Sequence, residues 1–172
     1  DPLWSRGLGD VYKRQTYERT NIAGVGFSVA ALEQLKGIAA TQTKNGKPLS
    51  DDPAFAARLA RVEIDLENMK TTNLRVIAAV AGGGVPGAES SMLKIRGTEI
   101  RQEISSLARR AMGVHGRPFI AEALKDGFTG ETFGPAYASA AASRYFNNRK
   151  LSIFGGSNEI QKNIISKMIL GL

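Results

Sequence analysis

Residues 52–84 read DPAFAARLARVEIDLENMKTTNLRVIAAVAGGG, and this stretch sets the fold class. Phe55, Leu59, Val62, Leu66 and Met69 recur at spacings of 4, 3, 4 and 3, the period of one apolar face of an α-helix. Asp52 is a natural N-cap, and Pro53 suits the first helical position because its missing N–H has no intrahelical partner there. Nothing breaks the pattern until Gly82-Gly83-Gly84, with Pro86 beyond. A helix from Pro53 to Val80 is expected, about 42 Å long at 1.5 Å per residue.

The same period extends to either side. Upstream, Ile22, Val25, Val29, Leu32 and Leu35 form a stripe at spacings of 3, 4, 3 and 3, ended by Asn45-Gly46-Lys47-Pro48. Downstream, Leu93, Gly97, Ile100, Ile104, Leu107 and Ala111 share one face of a third helix that Gly113 and Gly116 terminate. Gly97 costs about 1 kcal/mol against Ala in a helix, which points to a close helix contact. Residues 117–134 read as a connecting excursion, and Pro135 is expected to open a short helix through Phe146. The last helix follows Gly155-Gly156, with Ser157 as its N-cap, and runs to Leu170. No strand-type alternation is sustained, so the fold class is all-α, an antiparallel helical bundle.

Composition narrows the chemistry. The 172 residues contain no cysteine, which excludes disulfides, thiolate metal sites and a cysteine nucleophile. The single histidine, His115, leaves no His-rich metal cluster and reads as a turn residue rather than a proton shuttle. No run approaches the roughly 18–20 apolar residues of a membrane-spanning helix. Lys and Arg number 23 against 16 acidic residues, a net charge of +7. They are scattered among Glu and Asp rather than gathered into a stripe with stacking aromatics, so no nucleic-acid partner is expected. A weak pull on a phosphorylated cofactor is compatible with this surface.

Residues 1–15, DPLWSRGLGDVYKRQ, have neither a helical nor a strand period. They resemble a translated sequencing adapter; the alternative is a natural linker. On the adapter reading, 1–15 is a non-native leader, the natural chain is entered near Thr16, and residues 16–172 are a fragment whose upstream part is missing.

The two ends of the remaining chain carry a family resemblance. Tyr17-Glu18-Arg19-Thr20 resembles the opening of the C-terminal domain of acyl-CoA dehydrogenases. The close, Ile153-Phe154-Gly155-Gly156-Ser157-Asn158-Glu159-Ile160-Gln161-Lys162-Asn163-Ile164-Ile165, is similar to that family's aromatic, acid-or-Gly, Gly, Ser/Thr motif and the helix it caps. The resemblance covers residues 16–172 and is closest to bacterial members that handle unusual acyl-CoAs and can pair as unlike subunits.

The resemblance implies a flavin adenine dinucleotide (FAD) enzyme, built from an N-terminal helical domain, a middle β-domain and this bundle. It implies α,β-dehydrogenation of an acyl-CoA thioester. A carboxylate takes the α-proton while the β-hydride passes to flavin N5, and electrons leave to an electron-transfer flavoprotein. Hydrogen bonds to the thioester oxygen hold the developing enolate charge. Many relatives carry the base as a Glu where Gly155 stands here. Others carry it just before the Arg of the first helix, and Glu18 matches that position. By resemblance Glu18 is the catalytic base, and Arg19, Phe154 and Gly155 serve the substrate. Gly113, Ser157 and Glu159 serve the cofactor, Gly113 through the partner subunit's copy. Glu18, Ser157 and Glu159 also fit plain helix-start roles, as first-turn acids and an N-cap.

Two departures stand out. Thr41-Gln42-Thr43-Lys44-Asn45-Gly46 lacks the Arg and Phe of the family's Arg-x-x-Phe-Gly segment, and Val114 replaces a glycine of a Gly-Gly-x-Gly turn. The missing Arg near Gln42, together with Gly155 in the closing motif, favours an alternative, a non-catalytic partner subunit of a heteromeric dehydrogenase. A homo- or hetero-oligomer is expected in either case, because Ile160, Ile164, Ile165, Met168, Ile169 and Leu172 exceed one core-facing stripe. The bacterial cytoplasm is the expected compartment.

Overall fold

The computed structural model describes residues 24–172. Glu18 and Arg19, along with the 1–15 leader, lie outside the described residues. Among the described residues there are five α-helices: α1 (Val25–Thr41), α2 (Pro53–Ala81), α3 (Glu89–Ala111), α4 (Ala141–Asn147) and α5 (Asn158–Leu170). α3 is the hub and packs against each of the other four. The fold is the helical bundle expected.

Local chemistry explains the joints. Between α1 and α2 the chain makes a two-residue hairpin, β1 (Thr43–Lys44) with β2 (Lys47–Pro48), in antiparallel register Thr43↔Pro48. Asn45 and Gly46 have φ of 54° and 76°, the left-handed pair that tight hairpin turns require. The hairpin was not expected as strand; two pairs of residues are too few to show an alternation. Asp52 caps α2 by accepting from Phe55 N–H at 2.9 Å and also holds Lys44 Nζ at 2.6 Å. At the far end Gly84 packs against the last turn of α2, where an added Cβ would lie 2.8 Å from Ala79 O.

The core is the meeting of the three predicted stripes. Leu32, Leu35 and Ile38 of α1, Phe55, Val62, Leu66 and Met69 of α2, and Leu93, Ile100, Ile104 and Leu107 of α3 form one buried cluster. Each large apolar side chain in it contributes about 1.5–3 kcal/mol. Ion pairs Lys36–Glu63 (2.6 Å), Arg96–Asp65 (2.8 Å) and Arg58–Glu103 bridge the helices at the surface. Such exposed pairs contribute about 0–1 kcal/mol each, so burial carries the bundle.

The region after Pro135 corrects the sequence expectation. There is no single helix from Pro135 to Phe146. A 3-10 turn at Ala136–Ala138 precedes α4, and a second at Asn148–Ser152 follows it. Ser139 Oγ donates to Ala136 O at 2.7 Å, a local bond of the kind that competes with helix propagation.

Candidate functional site

The first turn of α5 gathers the polar chemistry. Gly155 and Gly156, with φ of 68° and 86°, swing the chain out of the Asn148–Ser152 turn. Ser157 then caps α5, its Oγ accepting from Ile160 N–H at 3.4 Å. Glu159 in the first turn is exposed. Its own backbone N–H and the Ser157 hydroxyl hold its carboxyl below the usual range, with Lys162 and Lys94 adding attraction.

Beneath this turn lies a residue the sequence did not single out. Lys94 of α3 is 0% exposed, and its Nζ donates to Asn158 Oδ1 at 3.0 Å. Thr98 Oγ1 lies 3.3 Å from the same oxygen and donates to Ile95 O at 2.8 Å. Burial pulls the Lys94 ammonium below its usual value, and Glu159 opposes this in part. A signal was available: Ser90, Lys94 and Thr98 fall at i, i+4 and i+8, a second stripe beside the apolar one.

Gln161 completes the turn. It is 1% exposed, and its Nε2 donates to Gly155 O at 3.3 Å. A Cβ on Gly156 would meet that Nε2 at 2.5 Å. Gln161 Oε1 is buried with no partner among the described residues. The start of α5 therefore presents first-turn backbone N–H groups and the positive end of a helix dipole, with the Lys94 ammonium buried beneath them. That donor set suits a polar, anionic ligand, and the Glu159 carboxylate suits a hydroxyl-bearing part of it.

Ser157, Glu159 and Gly155 thus come together, joined by Lys94, Asn158 and Gln161. Phe154 precedes them and is 44% exposed. Gly113 does not join them. It follows the far end of α3, where Ala111 lies 17 residues beyond Lys94, about 26 Å at the helical rise. There it has φ of 55° and open space around its Cα. Next to it His115 packs on Phe133 with ring centroids 5.4 Å apart, and its Nδ1 is buried without a partner among the described residues. Gln42 does not stand free: its Nε2 donates to Tyr137 OH at 2.6 Å. On α5, Ile160, Met168, Ile169 and Leu170 are exposed and only Gln161 is buried.

Among the described residues no helix is long and apolar enough to cross a membrane, and no three His, Cys, Asp or Glu side chains gather as metal ligands.

Comparison with known proteins agrees with the architecture. Residues 5–170 match the family model described as acyl-CoA dehydrogenase, C-terminal domain. No curated protein sequence matches the chain. A glutaryl-coenzyme A dehydrogenase in complex with glutaryl-CoA is similar in fold, with TM-score 0.74 and 21% identity over 94% of this chain and 37% of that one. An acyl-CoA dehydrogenase from Geobacillus kaustophilus gives 0.72 and 22% over 94% and 38%. A prolyl acyl carrier protein oxidase gives 0.72 and 21% over 92% and 37%. The chain spans less than two fifths of each of these structures.

Proposed function

The chain belongs to the acyl-CoA dehydrogenase family, whose C-terminal domain it carries, and on that premise we propose that the protein serves flavin-dependent α,β-dehydrogenation of an acyl-CoA thioester. The observation that carries the reading is the left-handed Gly155–Gly156 turn feeding the Ser157-capped start of α5. Ser157 and Glu159 hold the adenosine half of FAD, the Glu159 carboxylate accepting from hydroxyl groups and the helix start favouring negative charge. FAD, when bound, supplies the two-electron acceptor. Gly113, remote from α5 in its own chain, serves the copy held by a second subunit.

With no side chain at Gly155, the closing motif has no proton acceptor beside the thioester. Glu18 fills that role, and Arg19 serves the substrate beside it. The Gly155 N–H polarises the thioester oxygen, which raises the acidity of the α-carbon. Phe154 borders the acyl chain. Electrons pass on to an electron-transfer flavoprotein, and the protein works as an oligomer in the bacterial cytoplasm.

Glu18→Gln in the complete protein tests the assignment. It preserves size while removing the basic lone pair, so the rate should fall about 10²- to 10⁴-fold, with flavin content and acyl-CoA binding near normal. Full activity would place the base on another subunit. That result favours the second reading, a non-catalytic partner subunit, which the Gln42–Tyr137 bond supports: the position matching the family's cofactor-contacting Arg is occupied within the bundle.

A further inference from the structure

A cavity of about 250 Å³ lies between α1, α3 and α4. Neither Phe154 nor any residue of the α5 start lines it, so it is separate from the site above. Leu35, Ile104 and Met112 contribute apolar wall, while Arg101 and Arg144 contribute the charge. No Asp or Glu lines it.

The two arginines differ from the paired arginines on the α2–α3 face. Arg58 pairs with Glu103, and Arg96 pairs with both Asp65 and Glu99. Arg101 and Arg144 have no carboxylate partner among the described residues, and Arg101 is half-buried with its Cζ 6.0 Å from the centre of the Phe27 ring. Burial lowers the Arg101 guanidinium below its usual value, with no acid among the described residues to offset it. A guanidinium partly withdrawn from water without a counter-charge is costly, and a carboxylate is its natural two-point partner.

The remaining dimensions constrain the ligand. At about 30 Å³ per water-sized group, the cavity has room for on the order of eight such groups. Gln34, Ser105, Tyr137 and Asn148 add polar groups to the wall, while Leu35, Ile104 and Met112 form an apolar surface that suits an alkyl tail and that a phosphate would leave uncovered. We propose that this cavity binds a short aliphatic carboxylate, the acid group on Arg101 and Arg144 and the tail against Leu35, Ile104 and Met112. The proposal stands apart from the flavin reading and does not depend on it.

The test is calorimetric titration of the complete protein with hexanoate, hexanol and inorganic phosphate. Hexanoate should bind at least tenfold tighter than hexanol, and an equal concentration of phosphate should not displace it. Arg101→Met should weaken hexanoate at least tenfold and leave hexanol unchanged. Arg144→Met should act in the same direction; Arg144 is exposed, so this variant keeps the fold if the first does not. Arg75→Met, on the exposed face of α2, should change nothing. Equal affinity for hexanoate and hexanol, displacement by phosphate, or unchanged hexanoate binding in Arg144→Met would each overturn the assignment.

Discussion

Asn158→Ala should destabilise the bundle far more than removing the lysine that Asn158 serves. Lys94 is 0% exposed, and Asn158 Oδ1 at 3.0 Å is its one hydrogen-bond acceptor among the described residues. Truncating Asn158 leaves a buried ammonium without its hydrogen-bond acceptor, which costs about 2–3 kcal/mol. At roughly 2–4 °C per kcal/mol for a chain of this size, Tm should fall by about 4–12 °C. Lys94→Met removes the charge and keeps the length, so it should cost about 1 kcal/mol or less. The double variant should therefore be more stable than Asn158→Ala alone.

The pH dependence has a fixed sign. Burial sets the folded Lys94 below its ordinary value of 10.5, so between the two values the unfolded chain binds more protons. Stability rises with pH across that window. Asn158→Ala lowers the folded value further, and its deficit should shrink as pH rises toward 10.5. Urea denaturation followed by circular dichroism at pH 7 and pH 10 reads both effects. A double variant less stable than the single one, or a deficit that grows with pH, would refute a buried charge held by Asn158.

On α5, Met168→Glu with Ile169→Glu alters side chains 57% and 68% exposed; monomer stability should hold while light scattering shows a smaller assembly. An unaltered protein that is strictly monomeric at micromolar concentration would refute the interface. Gly156→Ala puts a Cβ at φ 86° and 2.5 Å from Gln161 Nε2, and should cost about 1–3 kcal/mol with loss of bound flavin measured by absorbance. Asp52 is held below its usual value by Lys44 first and Phe55 N–H second. Its contribution is present above the unfolded pKa and lost as pH falls through the folded one, so in acid titration the stability of Asp52→Ala should converge on that of the unaltered protein once Asp52 is protonated in the folded state.

The sequence was most legible where control is local. Asp52 with Pro53 and the Gly82–Gly84 run act within one turn of themselves, and α2 starts at Pro53 and ends at Ala81, one residue beyond expectation. The segment from Pro135 to Phe146 was not legible. Its Ala and Ser residues carry no period, and Ser139 bonds its own backbone neighbourhood. At the site, Ser157 declared itself through cap chemistry. Lys94 did not, because a lysine ordinarily reads as solvated until a neighbouring helix is known to cover it. Glu18, on which the proposed chemistry turns, lies outside the described residues.

The position of α3 as hub bears on how the chain folds during synthesis. α1 and α2 are made before α3, yet each leans mainly on α3 rather than on the other. Thirty residues separate the end of α2 at Ala81 from the end of α3 at Ala111. At about 5–20 residues per second of translation, the apolar stripe of α2 waits roughly 1.5–6 s for the surface that covers it, and that of α1, which ends 40 residues earlier at Thr41, roughly 3.5–14 s. That interval is when a nascent chain of this design is most exposed to aggregation, and when a holding chaperone has most to protect. Substitutions that delay α3 should therefore reduce soluble yield more than they reduce the Tm of the protein that survives.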